Sequence, residues 1–162
     1  MKSQPYLKNV CLAFWLFAFA QNVCGQSSKL IDDHFKALTD HDIKAIASGY
    51  ADDAEVYSPN WEGAKTGPAG VTEVYSRYFK STPDLSYKVT RVIDAGQTIV
   101  VEFTSGGILS NPEGNTPAYM KDKKYTLSYC TVFALKNGKI FREANYFDQV
   151  AFLKQVGFFD QK

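Results

Sequence analysis

Apolar residues recur at helical spacing in the first half of the chain and at strand spacing in the second. From Lys29, the positions Ile31, Phe35 and Leu38 mark a first helix that breaks near Thr39-Asp40-His41. Asp42 is placed to cap a second helix, in which Ile43, Ile46, Ala47 and Tyr50 fall at i, i+3, i+4 and i+7. Asp52 and Asp53 then read as a tight acidic turn into a short strand, Ala54–Ser58. The loop PNWEGAKTGP is rich in turn residues and holds Trp61, an aromatic placed to fold back over its surroundings. A third helix starts near Ala69 and carries Val71, Val74, Tyr75, Tyr78 and Phe79 as a continuous stripe until Pro83 stops it.

After Pro83 the period changes to two. Ser86–Asp94 and Gln97–Ser105 flank Ala95-Gly96, a hairpin connection. In the second of these strands Ile99, Val101 and Phe103 share one face, and Glu102 falls on the other. Gly106 to Lys124 is a longer polar excursion; its Tyr119 and Met120 make it either a flap or a surface loop. Tyr125–Leu135 and Lys139–Asp148 pair through Asn137-Gly138, the strongest hairpin signal in the chain, and a short helix from Val150 to Val156 ends before Gly157. Helices first and hairpin-connected strands afterwards predict an α+β domain, with helices on one face of a mostly antiparallel sheet.

The Asn137-Gly138 turn also predicts faces. Counting outward from Lys136 opposite Lys139 puts Leu127, Tyr129, Thr131, Phe133, Ala144, Tyr146 and Asp148 on one side, and Ser128, Cys130, Val132, Glu143, Asn145 and Phe147 on the other. A bulge would exchange the faces of one strand. In the unbulged register Asp148 sits beside Tyr129 and Tyr146 on a largely apolar face. There it would serve as a general acid or base, as the N-cap of the closing helix, or as both.

The start of the chain changes the picture. Lys2 and Lys8 precede VCLAFWLFAFA, an apolar run with no polar face and too short to span a bilayer. With Ala18-Phe19-Ala20 as a small-x-small site, residues 1–20 read as a secretory signal, with Val23-Cys24-Gly25 as a second site that would move cleavage as late as residue 25, ahead of a domain at 29–157. Export, without stable membrane insertion once the signal is removed, is the expectation. Cys24 lacks the small residues that precede a lipid-anchored cysteine, so a lipid anchor is not expected. Without residues 1–20 the chain keeps 16 of its 18 basic residues against 17 acidic ones, which leaves no basic footprint for nucleic acid. Cys130 is the one cysteine clearly inside the domain, so its core and not disulfides must hold it. His34 and His41 have no metal-ligand spacing, and no phosphate loop or dinucleotide fingerprint occurs, so neither metal nor cofactor is expected.

Together DIKAIASGYADDAEVYSP, the GP…VTEVYSRYF helix, the KNGKI hairpin and the ending YFDQVAFLKQVG resemble a nuclear transport factor 2-like domain of the SnoaL-like branch, over about Lys29 to Gly157. The resemblance implies a cone of curved sheet closed by three helices, a pocket inside, and often a homodimer through the outer sheet face. Against ketosteroid isomerase, a relative, Ser58 stands where that enzyme has its base, His34 where it has a helix tyrosine, and Thr131 near its oxyanion aspartic acid. The loss of an acid at Ser58 argues against that isomerase chemistry. Polyketide cyclases of the branch place an aspartate acid/base on the last strand, and Asp148 matches it. The expected catalytic set is therefore Asp148 with Tyr129, Tyr146 and His34, although His34 either dips into the pocket or sits in solvent beside Asp32 and Asp33. The expected ligand-binding set is Tyr50, Ser58, Trp61, Tyr75, Phe79 and Thr131. A binder of a small apolar or aromatic molecule, an acid/base enzyme (isomerase, cyclase or hydrolase) and a protein-interaction domain all remain open on this fold.

Overall fold

The structure, a computed structural model, describes residues 28–58, 63–114 and 116–160. The first helix, α1, covers residues 28–39 and turns Ile31, His34, Phe35 and Leu38 inward. Helix α2 (Ile43–Ser48) is capped by Asp42, whose carboxylate accepts from the Ala45 amide at 2.9 Å. It ends at Gly49, and strand β1 (Tyr50–Tyr57) begins at once. Two expectations are corrected here: Tyr50 is not on the helix, and Asp52-Asp53 are strand residues and not a turn. Two helical turns on, a residue at i+7 reads equally well as the first inward position of a following strand, and the cap at Gly49 decides between them.

Strand β2 (Lys65–Thr66) leads into α3 (Gly67–Ser81), with Pro68 in its first turn and Val71, Val74 and Tyr75 buried. The sheet continues with β3 (Ser86–Asp94), β4 (Thr98–Ile108), β5 (Lys124–Lys136) and β6 (Lys139–Phe147), and α4 (Gln149–Gln155) closes the domain. The spatial order is β2-β1-β6-β5-β4-β3, antiparallel throughout except for the β1–β6 pair. This is the expected α+β architecture, a curved, unclosed sheet forming a cone around the N-terminal helices. Ile99, Val101 and Phe103 face inward, opposite Phe133, Thr131 and Tyr129 of β5, and pack on α1 and α3. Glu102 faces outward beside Cys130, as its alternation requires. Among the described residues no helix is long and apolar enough to cross a membrane.

The β5–β6 hairpin carries the expected turn: Asn137 and Gly138 both have positive φ, 52° and 71°. The register then slips. Lys136 opposes Lys139 and Leu135 opposes Ile140, but Ala134 opposes Arg142, so Phe141 is an extra residue on β6. Beyond it Phe133 faces Glu143, Thr131 faces Asn145 and Tyr129 faces Phe147. The predicted faces of β6 are thus exchanged: Glu143, Asn145 and Phe147 share the inner face, while Tyr146 is 47% exposed outside. The pattern of amino acids does not reveal this, because the bulge changes a residue count and leaves the alternation on either side intact.

Near its C-terminal end β4 packs tightly against β5. A Cβ on Gly106 would lie 2.2 Å from the Tyr125 carbonyl oxygen and 2.7 Å from Thr126 Cα. Gly106→Ala is expected to push the two strands apart and cost about 2 kcal/mol, read as a lower urea midpoint at unchanged slope.

Candidate functional site

Between α1, α3 and the inner face of the sheet lies a cavity of about 390 Å³. It follows β5 from Tyr125, whose ring meets Phe152 of α4 at 5.2 Å, to Phe133, whose ring meets His34 of α1 at 5.5 Å. The excursion between β4 and β5 covers the Tyr125 end. Met120 is buried against Leu109 and Val156, and the Leu109 amide donates to Lys123 O while the Asp122 amide donates to Leu109 O, both at 2.9 Å. The segment is therefore a packed cover as well as a surface loop. At its edge Arg77 of α3 binds Glu113, Nη2 to Oε2, at 2.7 Å.

Aromatic rings form much of the walls. Phe103 and Tyr129 stack with ring centroids 5.1 Å apart at 7°, the direct result of their cross-strand pairing. Burial pushes the Tyr129 and Tyr87 phenols up, so both are neutral hydroxyls.

The polar groups gather at the Phe133 end around Glu143, which is 1% exposed. The Tyr75 hydroxyl donates to its Oε1 at 2.8 Å, the Asn145 side-chain amide donates to the same oxygen, and the Tyr50 hydroxyl donates to Oε2. Thr131 in turn donates to Asn145 Oδ1, which fixes the amide's orientation. Burial pushes the Glu143 carboxyl up, against the pull of these donors, which favour the ionised form. Burial also drives Tyr50 and Tyr75 well above the usual phenol range, with Glu143's charge as the second cause.

His34 completes this end. It is 5% exposed, and the rings of Phe35, Tyr50, Tyr75 and Phe133 surround it at 5.5–6.0 Å. Burial lowers its pKa to about 3, so the ring is neutral. Its Nδ1 is buried with no hydrogen-bond partner. Of its two open positions, the pocket is the one the structure adopts.

The expected site residues separate accordingly. His34, Tyr75, Tyr129 and Thr131 line the cavity, and Tyr50 reaches the same cluster through its hydroxyl. Ser58 is fully buried, with Tyr78's hydroxyl 3.4 Å from its Oγ, but does not line the cavity. Phe79 stacks on His41 at 4.1 Å and also lies outside the lining. Trp61 falls outside the described residues. Asp148 and Tyr146 are not brought to the cavity: the bulge turns Tyr146 to the outer face, and Asp148 is exposed. Asp148 does cap α4, accepting from the Ala151 amide at 3.0 Å. The acid at the Phe133 end of the cavity is Glu143, which the unbulged register had assigned to the outer face. Its signal in the sequence was the possibility of a bulge near the hairpin. Among the described residues no three His, Cys, Asp or Glu side chains converge as metal ligands would.

Comparison with known proteins agrees with this architecture. The profile of the SnoaL-like domain matches residues 31–143. No curated protein sequence gives a significant match. Among solved structures, TerC co-crystallised with polyporic acid is similar at 23% identity and a TM-score of 0.66, over 81% of this chain and 98% of that one. A candidate SnoaL-like polyketide cyclase from Jannaschia sp. CCS1 superposes with a TM-score of 0.73 at 16% identity, over 83% and 93% of the two chains. A hypothetical protein of ketosteroid isomerase-like fold from Catenulispora acidiphila DSM 44928, in complex with trimethylamine, gives 0.67 at 16% identity, over 79% and 92%. At these identities the likeness is one of fold.

Proposed function

The chain belongs to the SnoaL-like family, and we propose that it is an exported domain that binds one small, partly apolar molecule in its cone. The observation that carries this reading is the cavity itself. Its volume lies within the range of small-molecule sites, and its aromatic walls converge on a few fixed polar groups at one end. The ligands named for two structural relatives, polyporic acid and trimethylamine, are small molecules too. The basic start and apolar run of residues 1–20 support export. A homodimer through the outer sheet face belongs to the same proposal, since Ile93 and Tyr146 are exposed there at 41% and 47%.

Native mass spectrometry of the protein recovered from its own host tests the ligand reading. A retained mass of a few hundred daltons that unfolding releases is the expected result. A bare protein that no member of a panel of small aromatic compounds stabilises against heat would remove it. The same spectra give the mature mass, and an intact residue 1 would end the export proposal.

An acid/base enzyme is the second reading, and Glu143 favours it. A carboxyl pushed up by burial, beside two tyrosine hydroxyls, is suited to hold and pass a proton. Glu143→Gln assayed against enolisable ketones separates the two readings. Turnover lost in the variant supports the enzyme, and no turnover by the unmodified protein leaves the binder.

A further inference from the structure

The cavity's charges are unevenly compensated. Of the charged side chains lining it, Arg77 and Glu113 neutralise each other at the edge of the cover. Glu143, near the other end, has only neutral partners: two phenols and an amide. His34 beside it cannot act as the missing cation, being neutral above about pH 3. Around it stand the rings of Tyr75, Tyr78 and Phe133, and aromatic faces attract positive charge. A buried carboxylate without a cation is a costly arrangement that a positively charged guest relieves.

The kind of cation follows from the hydrogen bonds. Both Glu143 oxygens already accept from the protein. A primary ammonium would bring three N–H donors and find few free acceptors, whereas a fully substituted ammonium needs none and gains from aromatic contact. Resting on the ligand-binding reading above, we propose that the cavity's ligand is an organic cation with a tertiary or quaternary ammonium head. The head lies at the Glu143 end among Tyr75, Tyr78 and Phe133, and the apolar remainder runs along β5 toward Tyr125. Such a guest favours the ionised carboxylate, so binding draws the Glu143 pKa down and releases a proton where the free protein holds one.

The test compares phenyltrimethylammonium with tert-butylbenzene, which has the same shape and no charge, by isothermal titration calorimetry. At pH 8 the cation is expected to bind at least about tenfold more tightly. In Glu143→Gln the ratio of the two affinities falls toward one. Should that variant fail to fold, the unmodified protein answers through pH. The ratio falls as pH is lowered from 8 toward 4.5, the ordinary value above which burial raises the Glu143 carboxyl, and buffers of different ionisation enthalpy report proton release on cation binding. The titratable groups facing Glu143 are His34 from α1, Tyr50 from β1, Tyr75 and Tyr78 from α3 and Tyr87 from β3. None of these changes charge in that window. Equal affinities at pH 8, or a ratio indifferent to both Glu143→Gln and pH, would overturn the proposal and leave the ligand-binding reading standing. Binding of neither compound would count against the cavity as a ligand site and so against both.

Discussion

Replacing His34 by phenylalanine is expected to stabilise the protein, and the gain grows as the solution is acidified. At neutral pH the imidazole is uncharged and its Nδ1 lacks a partner, an arrangement that costs about 1–2 kcal/mol, which a ring without polar atoms avoids. The aromatic neighbours already meet His34 edge-on, as they would a phenyl ring. Acid adds a second effect. The folded pKa of about 3 lies below the 6.5 of an unperturbed histidine, so between these values the unfolded chain binds the extra proton. Stability due to His34 therefore falls as pH drops below 6.5, by about 1.4 kcal/mol per pH unit. His34→Phe lacks this loss, and its advantage over the unmodified protein should widen by about 3 kcal/mol between pH 6.5 and pH 4. Urea unfolding of both proteins at the two pH values measures it. A constant difference would mean that His34 is already charged or solvated in the folded state. A more stable protein that no longer retains its ligand would show that the histidine is kept for the site at the expense of the fold.

Glu143→Ala should act in the opposite direction and strongly, with a loss of about 3 kcal/mol or more. The substitution leaves the Tyr50 and Tyr75 hydroxyls and the Asn145 amide with no acceptor in a buried place, and each such donor costs about 1–3 kcal/mol unless water enters. Glu143→Gln keeps one carbonyl acceptor and the shape, and should stay within about 1 kcal/mol of the unmodified protein. The pH signs differ from those of His34. A carboxyl whose folded pKa is raised holds its proton more tightly in the folded state, so its destabilising effect is present above that pKa and is relieved as pH falls toward the unfolded value. His34 and Glu143 thus oppose each other on acidification. On acidification His34→Phe should therefore lose less stability than the unmodified protein, and Glu143→Gln more. Equal stability of the Ala and Gln variants would mean that the three donors find other acceptors.

Much of this was legible before any coordinates. The α3 stripe, the inward triplet Ile99, Val101 and Phe103, and the Asn137-Gly138 turn each rest on local periodicity or backbone sterics, which the sequence states directly. Tyr75, Tyr129 and Thr131 reached the cavity for that reason. What escaped was non-local. Whether Tyr50 ends a helix or starts a strand depends on Gly49 and on the pairing of Tyr50 with Ile140. Whether His34 meets solvent or rings depends on residues as distant as Phe133. The acid of the site was misplaced by one position because Phe141 packs as an extra residue, with Lys136 Nζ 4.8 Å from its ring centroid.

That single residue has a consequence for how such a protein can change. Were Phe141 to pair instead of bulging, plain alternation would hold, and Arg142 would oppose Phe133 where Glu143 does now. The cavity would exchange an acid for a base, and a preference for cations for one for anions, with every amino acid unaltered. The sign of what this cone attracts is written in the register of a strand, and a one-residue slip there can invert it in one step.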